Sequence, residues 1–230
     1  MFDRNKWVKV VGIIAFIVSL FSNSSNEVNG QGPPPPVQVQ NRDSLSFDEQ
    51  WRVFRSLGFE LASETLIADF EKLKSDKLIV EQPFSHLYME LGRGLQREPW
   101  TPFTNRVWDF DTEAIEDHGA YVEIMRNLER ISRGELKFDN LKDYVDIEEG
   151  KAWVSFSING QDFRWDLVVD NDWVDPQLFT KVVELTRKLN TKGRYTYFDT
   201  GGQNAVVGFE TPESRAAIIK ATGLKIEWLD

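Results

Sequence analysis

The sequence contains no cysteine and only two histidines. Without cysteine, disulfide bonds, thiol catalysis and thiolate metal sites are excluded, so a domain in an oxidising compartment must be stabilised by packing alone. A Ser/His/Asp triad would have to use His86 or His118, and no Gly-x-Ser-x-Gly turn accompanies either residue. Gly92-Arg93-Gly94 matches part of a glycine-rich phosphate loop but lacks the preceding strand and the remaining glycines. The sequence therefore carries no recognisable catalytic motif.

Basic residues are outnumbered, since 27 Lys and Arg stand against 37 Asp and Glu and the net charge is −10. Binding to nucleic acid or to anionic lipid headgroups would add repulsion instead of releasing counterions. The charge argues against both partners, and we expect membrane contact only through the N-terminal helix. The same charge is compatible with cationic partners or Ca²⁺, although solubility alone explains it.

One apolar run bears on targeting, at residues 7–21 (WVKVVGIIAFIVSLF). Because Arg4, Lys6 and Lys9 precede its apolar core, the positive-inside rule predicts a cytoplasmic N-terminus and an extracytoplasmic remainder. The core is about the length of a signal-peptide core and short for a membrane span, but no Ala-x-Ala cleavage site follows. Residues 1–22 are therefore predicted as a signal peptide, which gives a secreted protein, or as a transmembrane signal anchor.

Residues 23–44 are rich in Asn, Ser, Gly and Gln and contain four consecutive prolines at 33–36. Proline favours extended polyproline II and the flanking residues offer no apolar face, so we predict a Pro-rich disordered linker. The rest of the chain, 45–230, is predicted as a single globular domain. It divides into a helical lobe at 45–135 and a hairpin-rich lobe at 136–230.

Helix signals dominate the first lobe. Ser46 and Glu49 form a capping box, and apolar residues at helical spacing predict a further helix from about 119 to 131. Residues 107–111 are predicted as a short strand. The first half of the domain is therefore expected to be mainly helical.

The strongest local signal is a β-hairpin around Asn159-Gly160, the pair that a type I′ turn favours because both positions need positive φ. Pairing across this turn predicts one apolar and one polar face. The apolar pairs are Phe156–Phe163, Val154–Trp165 and Ala152–Leu167, and the polar face carries Ser157–Asp162, Ser155–Arg164 and Trp153–Asp166. A helix capped by Asp175, a second hairpin around Gly201-Gly202, another helix and a last strand follow. The order ββαββα(β) predicts a mostly antiparallel sheet with helices on one face, an α+β fold.

A cluster of acidic residues precedes the predicted helix at 119. The spacing of Asp109, Asp111 and Glu113 places three oxygen ligands on one side of an extended segment, as Ca²⁺ or Mn²⁺ requires, and His118 could complete a transition-metal site. These acidic residues do not match the pattern of an EF-hand calcium-binding loop. The alternative is that these acids only complement the helix dipole and cap the helix.

Three tryptophans are candidate binding residues. Trp100 and Trp173 lie in predicted loops, and Trp153 falls on the polar face of the first hairpin. Exposed aromatic rings would suit a glycan or a protein contact. The alternative for Trp153, which we favour, is burial under the helical half of the domain.

Two functions follow from these features. The sequence favours a non-catalytic, extracytoplasmic module, tethered or secreted, that binds a protein or a cell-envelope polymer through an acidic, aromatic-rich surface. An inhibitor or immunity protein would fit this description by analogy. The alternative is a metal-dependent hydrolase using the cluster from Asp109 to His118, with Ca²⁺ or another divalent metal as the one cofactor considered. The oligomeric state stays open.

Overall fold

The computed structural model of the protein describes residues 45–95 and 100–229. The predicted signal or anchor at 1–22 and the predicted linker at 23–44 lie outside these residues. Within the described ranges, no helix combines the length and the apolar character needed to cross a membrane.

Helices occupy the chain from residue 47 to residue 92, as the sequence predicts. The first helix begins at the predicted capping box, in which the Ser46 hydroxyl accepts from the backbone N–H of Glu49 and the Glu49 carboxylate accepts from the backbone N–H of Ser46. The elements are α1 (Phe47–Ser56), a 3₁₀ turn (Glu64–Leu66), α2 (Ile67–Phe70), a second 3₁₀ turn (Glu71–Ser75), α3 (Lys77–Glu81) and α4 (Ser85–Gly92).

Antiparallel strands with interspersed helices make up the rest of the described chain, so the α+β class is confirmed. The predicted strand at 107–111 is β3, and the predicted helix at 119–131 is α5. The elements are β1 (Gly94–Leu95), β2 (Thr101–Pro102), β3 (Val107–Asp111), α5 (Ala120–Ile131), β4 (Asp139–Asp146), β5 (Lys151–Ile158), β6 (Gln161–Leu167), α6 (Gln177–Leu189), β7 (Arg194–Asp199), β8 (Asn204–Glu210), α7 (Pro212–Thr222) and β9 (Ile226–Trp228).

The predicted first hairpin is formed by β5 and β6, and its register is confirmed at every predicted pair, from Ala152–Leu167 to Ser157–Asp162. Asn159 and Gly160 have φ angles of 52° and 74°, the left-handed values that a type I′ turn needs. A slip of one residue would turn the apolar side chains to solvent, so the alternating pattern together with the two-residue turn specifies this register.

The two hairpins lie in different sheets, which corrects the prediction of one sheet. β4, β5 and β6 form a three-stranded sheet in that order, and a four-stranded sheet has the order β3-β8-β7-β9. In the first sheet, β4 pairs with β5 on the side away from β6. In the second, β3 pairs with β8 and β9 pairs with β7, each on the outer side of the hairpin. β4 was not predicted from the sequence, because its residues, DNLKDYVD, include several charged residues of low strand propensity.

The helical region and the four-stranded sheet share one apolar core. Phe54, Phe59 and Tyr88 belong to the same buried cluster as Val206 of β8 and Ile226 of β9. The ring of Phe54 lies 5.0 Å from that of Phe59 and 6.0 Å from that of Tyr88. Such ring pairs add to the stabilisation that burial of apolar surface provides. The ring of Tyr88 in turn lies 5.7 Å from that of Phe198 on β7, so aromatic packing connects the helices to the sheet.

A buried ion pair joins the start of β3 to the end of β8, and its arginine also bonds the end of α1. Nε and Nη2 of Arg106 donate to the two carboxylate oxygens of Glu210 at 2.8 and 2.9 Å, and Glu210 is 0% exposed. The same guanidinium donates to the Leu57 carbonyl and to the Ser214 hydroxyl, each at 2.6 Å. A buried charge is tolerated when its partner is bidentate and further hydrogen bonds surround it. Arg106 meets both conditions.

Replacing Glu210 tests the importance of this pair. Glu210→Gln should lower the free energy of unfolding by about 3–5 kcal/mol, because it leaves the Arg106 guanidinium buried without its counter-charge. Equilibrium urea denaturation measures the loss. Lys72→Ala, which removes the exposed ion pair with Asp69, is the control and should cost less than about 1 kcal/mol. Similar losses for the two variants would show that the buried pair is dispensable.

A second buried polar contact holds a strained turn at the start of α4. Phe84 has a φ angle of 65°, which is rare for an aromatic residue, and its backbone N–H donates to Oε1 of Gln50 at 2.7 Å. Nε2 of Gln50 donates to the carbonyls of Leu45 and Ile79 at 2.8 and 2.7 Å, and Gln50 is fully buried. One side-chain amide therefore satisfies three backbone groups from three segments.

Gln50→Leu removes all three hydrogen bonds while keeping a side chain of similar size. Each buried backbone group left without a partner costs about 1–3 kcal/mol, so we expect a total loss of roughly 3 kcal/mol or more in urea denaturation. The exposed Gln161, whose side chain accepts a hydrogen bond from Lys188, supplies the control variant Gln161→Leu. If Gln50→Leu unfolds at the same urea concentration as this control, the amide does not hold the turn.

Candidate functional site

The predicted metal ligands of β3 and the following loop are engaged in other contacts. Asp109 and Asp111 lie on one side of β3, as their spacing predicts. Oδ2 of Asp109 accepts a hydrogen bond from Nε of Arg93 at 2.8 Å, whereas the side-chain amide of Gln203 donates to Asp111 at 3.2 Å and to Glu113 at 3.0 Å. Across residues 45–95 and 100–229, no three acidic or histidine side chains are grouped so that they could hold a metal ion.

His118 does not join the carboxylates of β3. Its Nδ1 lies 2.8 Å from Oδ1 of the neighbouring Asp117, and its ring contacts the ring of Tyr144 edge-on at 4.8 Å between centroids. Tyr144 belongs to β4 of the three-stranded sheet. The structure therefore places His118 on that sheet, away from the predicted partners on β3.

The start of α5 is capped by a residue that the sequence did not indicate. The carboxylate of Asp143, on β4, accepts hydrogen bonds from the backbone N–H of Gly119 at 2.8 Å and from that of Val122 at 3.1 Å. An anion at this end of a helix is favoured by the helix dipole. The interpretation that the preceding acids cap α5 is corrected, because the capping carboxylate comes from a strand 24 residues away from Gly119.

The three candidate tryptophans lie in different surroundings. Trp153 is half-buried: its ring stacks on Tyr144 at 6.2 Å, and the Arg164 guanidinium lies 4.2 Å from its centroid. Burial of Trp153 under the helical half, which we favoured, is not observed, since its ring contacts come from its own sheet. Trp173 is half-buried and its backbone pairs with Glu113 in an isolated bridge. Trp100 is 44% exposed.

A groove of about 420 Å³ lies beside Trp100, and we call it the β3–α5 groove after the elements that form it. It extends from Gly92 across β3 to the first turn of α5. Its aromatic residues are Trp100, Trp108 and Phe110, and its charged residues are Arg93, Asp109, Asp111 and Glu123. Two of the predicted metal ligands and one of the predicted binding tryptophans therefore meet in the same concave surface.

The groove depends on two glycines around Arg93. A Cβ atom on Gly92 would lie 2.5 Å from the backbone nitrogen of Asp109. A Cβ atom on Gly94 would lie 2.5 Å from the carbonyl oxygen of Thr101 and 2.9 Å from the indole of Trp100. Only glycine leaves room for α4 to end directly on β3 and for Trp100 to rest on β1. The Gly92-Arg93-Gly94 sequence thus serves close packing, a role that its weak resemblance to a phosphate loop did not suggest.

Arg93 is part of a series of polar contacts that leads from the start of α3 to the groove. Its Nη1 donates to Oε1 of Glu90 at 2.6 Å, and its Nε donates to Asp109. Nε2 of His86 lies 3.8 Å from the same Oε1 of Glu90 and 2.8 Å from Oδ2 of Asp76. Burial raises the pKa of Glu90 despite the nearby Arg93 and His86. Of these residues, Arg93 and Asp109 line the groove, and they are paired with each other.

Trp100 also carries a cation on one side. The guanidinium carbon of Arg130, on α5, lies 5.6 Å from the centroid of the Trp100 ring, and Nη1 of Arg130 donates to the Thr104 carbonyl at 2.6 Å. Burial lowers the pKa of Arg130 to about 10. The indole of Trp100 therefore contacts Gly94 of β1 and the guanidinium of Arg130, and Trp100 remains 44% exposed.

No protein-family model, no curated protein and no solved structure matches this chain. Arg93 and Trp108 line the groove but were not among the candidate site residues predicted from the sequence, and Asp143 was not predicted to cap α5. The glycines around Arg93 were a signal in the sequence, because glycine often marks a site where another backbone approaches closely.

Gly94→Ala tests whether close packing places Trp100. The added methyl group meets the Thr101 carbonyl and the indole of Trp100, so β1 and β2 must separate and the indole must move. We expect a stability loss of about 1–3 kcal/mol and a shifted Trp100 indole N–H resonance in NMR spectra. In Gly202→Ala, the matched control, the nearest atom lies 3.9 Å away and neither quantity should change. An unmoved Trp100 resonance in Gly94→Ala would contradict this role of Gly94.

Proposed function

We propose that this protein is a non-catalytic binding module, tethered or secreted on the extracytoplasmic side, that recognises a protein or a cell-envelope polymer through the β3–α5 groove. The observation that carries the proposal is the exposed ring of Trp100 beside a groove lined by acidic and aromatic side chains. The location rests on the apolar run at 7–21 and the basic residues around its start.

The shape and chemistry of the groove support a binding role. Tryptophan is one of the residue types enriched among the side chains that contribute most of the binding energy in protein interfaces. Trp100 lies beside a concave surface, where such residues are expected. Below it, the rings of Trp108 and Phe110 lie 4.6 Å apart and Trp108 is buried, which gives the groove a packed apolar wall. Rigid aromatic groups lose little conformational entropy when a partner binds, so they contribute strongly to affinity.

The polar groups of the groove support recognition more than reaction. Arg93 is neutralised by Glu90 and Asp109, and Asp111 is held by Gln203. The residue of this series of polar contacts best suited to proton transfer, His86, is held by Asp76. An activated nucleophile would need a base within hydrogen-bond distance, and the groove residues show no such pair.

Binding can be tested with the full-length chain and two kinds of ligand. A library of random peptides displayed on phage represents protein partners, and insoluble cell-envelope polysaccharide in a sedimentation assay represents a polymer. Any ligand that is retained should lose at least about tenfold in affinity with Trp100→Ala, because truncation of a central aromatic residue removes most of its contact energy.

The control variant is Ile147→Ala, which truncates a side chain of similar exposure (39%) in the turn between β4 and β5. It should change affinity by less than about twofold, since contacts outside the centre of an interface contribute little. Equal affinities for Trp100→Ala and wild type, with every retained ligand, would refute the proposed binding site.

A further inference from the structure

The β3–α5 groove follows the edge of a strand. Its lining includes four consecutive residues of β3, which are Trp108, Asp109, Phe110 and Asp111. Successive side chains of a strand point to opposite faces of the sheet, so four consecutive residues cannot all belong to one face. β3 is the first strand in the order β3-β8-β7-β9, and among the described strands it pairs only with β8. The groove therefore runs along the unpaired edge of β3.

The hydrogen-bond pattern of the sheet identifies the backbone groups that point outward from this edge. The N–H of Thr112 donates to the carbonyl of Gln203 at 3.4 Å, which continues the register of β3 on β8. Bonded and non-bonded pairs alternate along an antiparallel ladder, so the N–H and carbonyl groups of Asp109 and Asp111 point away from β8. The bond from the Leu229 N–H to the Tyr195 carbonyl, followed across β7 and β8, gives the same assignment.

The outward groups of Asp109 and Asp111 make no backbone hydrogen bond to any other residue within 45–95 and 100–229. Gly92 packs against the backbone nitrogen of Asp109, which leaves the Asp109 carbonyl and both backbone groups of the exposed Asp111. Beyond them, the Thr112 carbonyl already accepts from the N–H of Val174. An unpaired strand edge is a template for pairing with another extended chain. The free edge of β3 is therefore a short template of this kind.

A peptide in extended conformation matches both this edge and the indole beside it. Such a peptide directs its N–H and carbonyl groups sideways, toward the edge that it joins, and alternates its side chains between two faces. Trp100 lines the groove and is 44% exposed, so one side chain of the peptide can pack against it while the main chain bonds Asp109 and Asp111. A polysaccharide has no row of amide donors and acceptors at the spacing of a strand.

A second copy of the chain fits the same edge less well. Pairing of β3 with its own copy would bring the carboxylates of Asp109 and Asp111 beside those of the other chain, because a symmetric contact uses the same surface twice. Like charges opposite each other on paired strands are destabilising. Charged side chains on edge strands commonly prevent such association. The occupant that fits best is therefore a segment of another protein.

We propose that the β3–α5 groove binds a short extended segment of a partner protein, which adds a strand to the edge of β3 and places one side chain against Trp100. The proposal rests on the binding function inferred above and selects a protein, instead of a polymer, as the partner. Main-chain hydrogen bonds to Asp109 and Asp111 provide affinity, and the contact with Trp100 provides specificity.

Two variants of Asp111 separate its backbone from its side chain. Asp111→Pro removes the outward N–H together with the carboxylate, and proline is tolerated where the N–H of an edge strand points outward. Asp111→Ala, the matched control, removes the carboxylate and keeps the N–H. Peptides that the full-length chain retains in the phage selection are synthesised, labelled and titrated by fluorescence anisotropy. We expect Asp111→Pro to bind them at least about tenfold more weakly than Asp111→Ala, because a peptide carbonyl loses its donor.

N-methylation of the peptide tests the same contact without changing the protein, so it decides the question if Asp111→Pro does not fold. A methyl group placed on one backbone nitrogen at a time removes one donor and keeps every side chain. We expect a loss of at least about tenfold where the nitrogen faces β3 and less than about twofold at the two adjacent positions, because alternate N–H groups of a strand point to opposite sides.

Other results would overturn the proposal. Trp100-dependent retention of a polymer and of no peptide would refute strand addition and leave the binding function standing. Equal affinities of Asp111→Pro and Asp111→Ala, or equal losses from N-methylation at adjacent positions, would mean that only the side chains of the peptide are recognised. Dimerisation of the chain in analytical ultracentrifugation, abolished by Asp111→Pro, would make a second copy the occupant. Trp100-independent behaviour of every ligand would refute the binding function itself.

Discussion

The buried ion pair between Arg106 and Glu210 holds together parts of the chain that are 104 residues apart. Arg106 directly precedes β3, and Glu210 is the last residue of β8. The pair therefore holds these two strand ends together, next to the point where Val107 is aligned with Gly208. Through the Leu57 carbonyl it also ties the end of α1 to these strand ends. β3 carries Asp109 and contributes residues to the lining of the groove. The position of both therefore follows from this alignment.

The groove forms where the end of α4 meets β3 and where Trp100 lies against β1. Both approaches are closer than a side chain at Gly92 or Gly94 would permit. Gly92 and Gly94 remove the two methyl groups that would separate α4 from β3 and Trp100 from β1. Polar contacts then run in sequence from Asp76 through His86, Glu90 and Arg93 to Asp109, and Arg93 supplies the cation that pairs with both Glu90 and Asp109. Within the described part of the chain, Oδ1 of Asp109 is buried without a hydrogen-bond partner.

Much of the local structure could be predicted from the sequence, because the interactions involved are short in range. The capping box at Ser46 and the turn at Asn159-Gly160 depend on residues at most a few positions apart, and the register of β5 on β6 follows from alternation. β4 was missed because pairing with β5 on one side and the capping contact of Asp143 override its poor strand propensity. Tertiary contacts of this kind leave no periodic pattern in the sequence.

The sequence by itself determined the absence of thiol chemistry, the negative charge, the α+β class and the position of Trp100 in a loop. It also placed Asp109 and Asp111 on one side of a strand, because side chains alternate along an extended chain. Only the tertiary structure decided what those carboxylates contact. Arg93 reaches Asp109 from a helix end 16 residues away, and His118 turns to Tyr144 on another sheet. Such partners are set by how sheets and helices pack, which spacing along the chain does not specify.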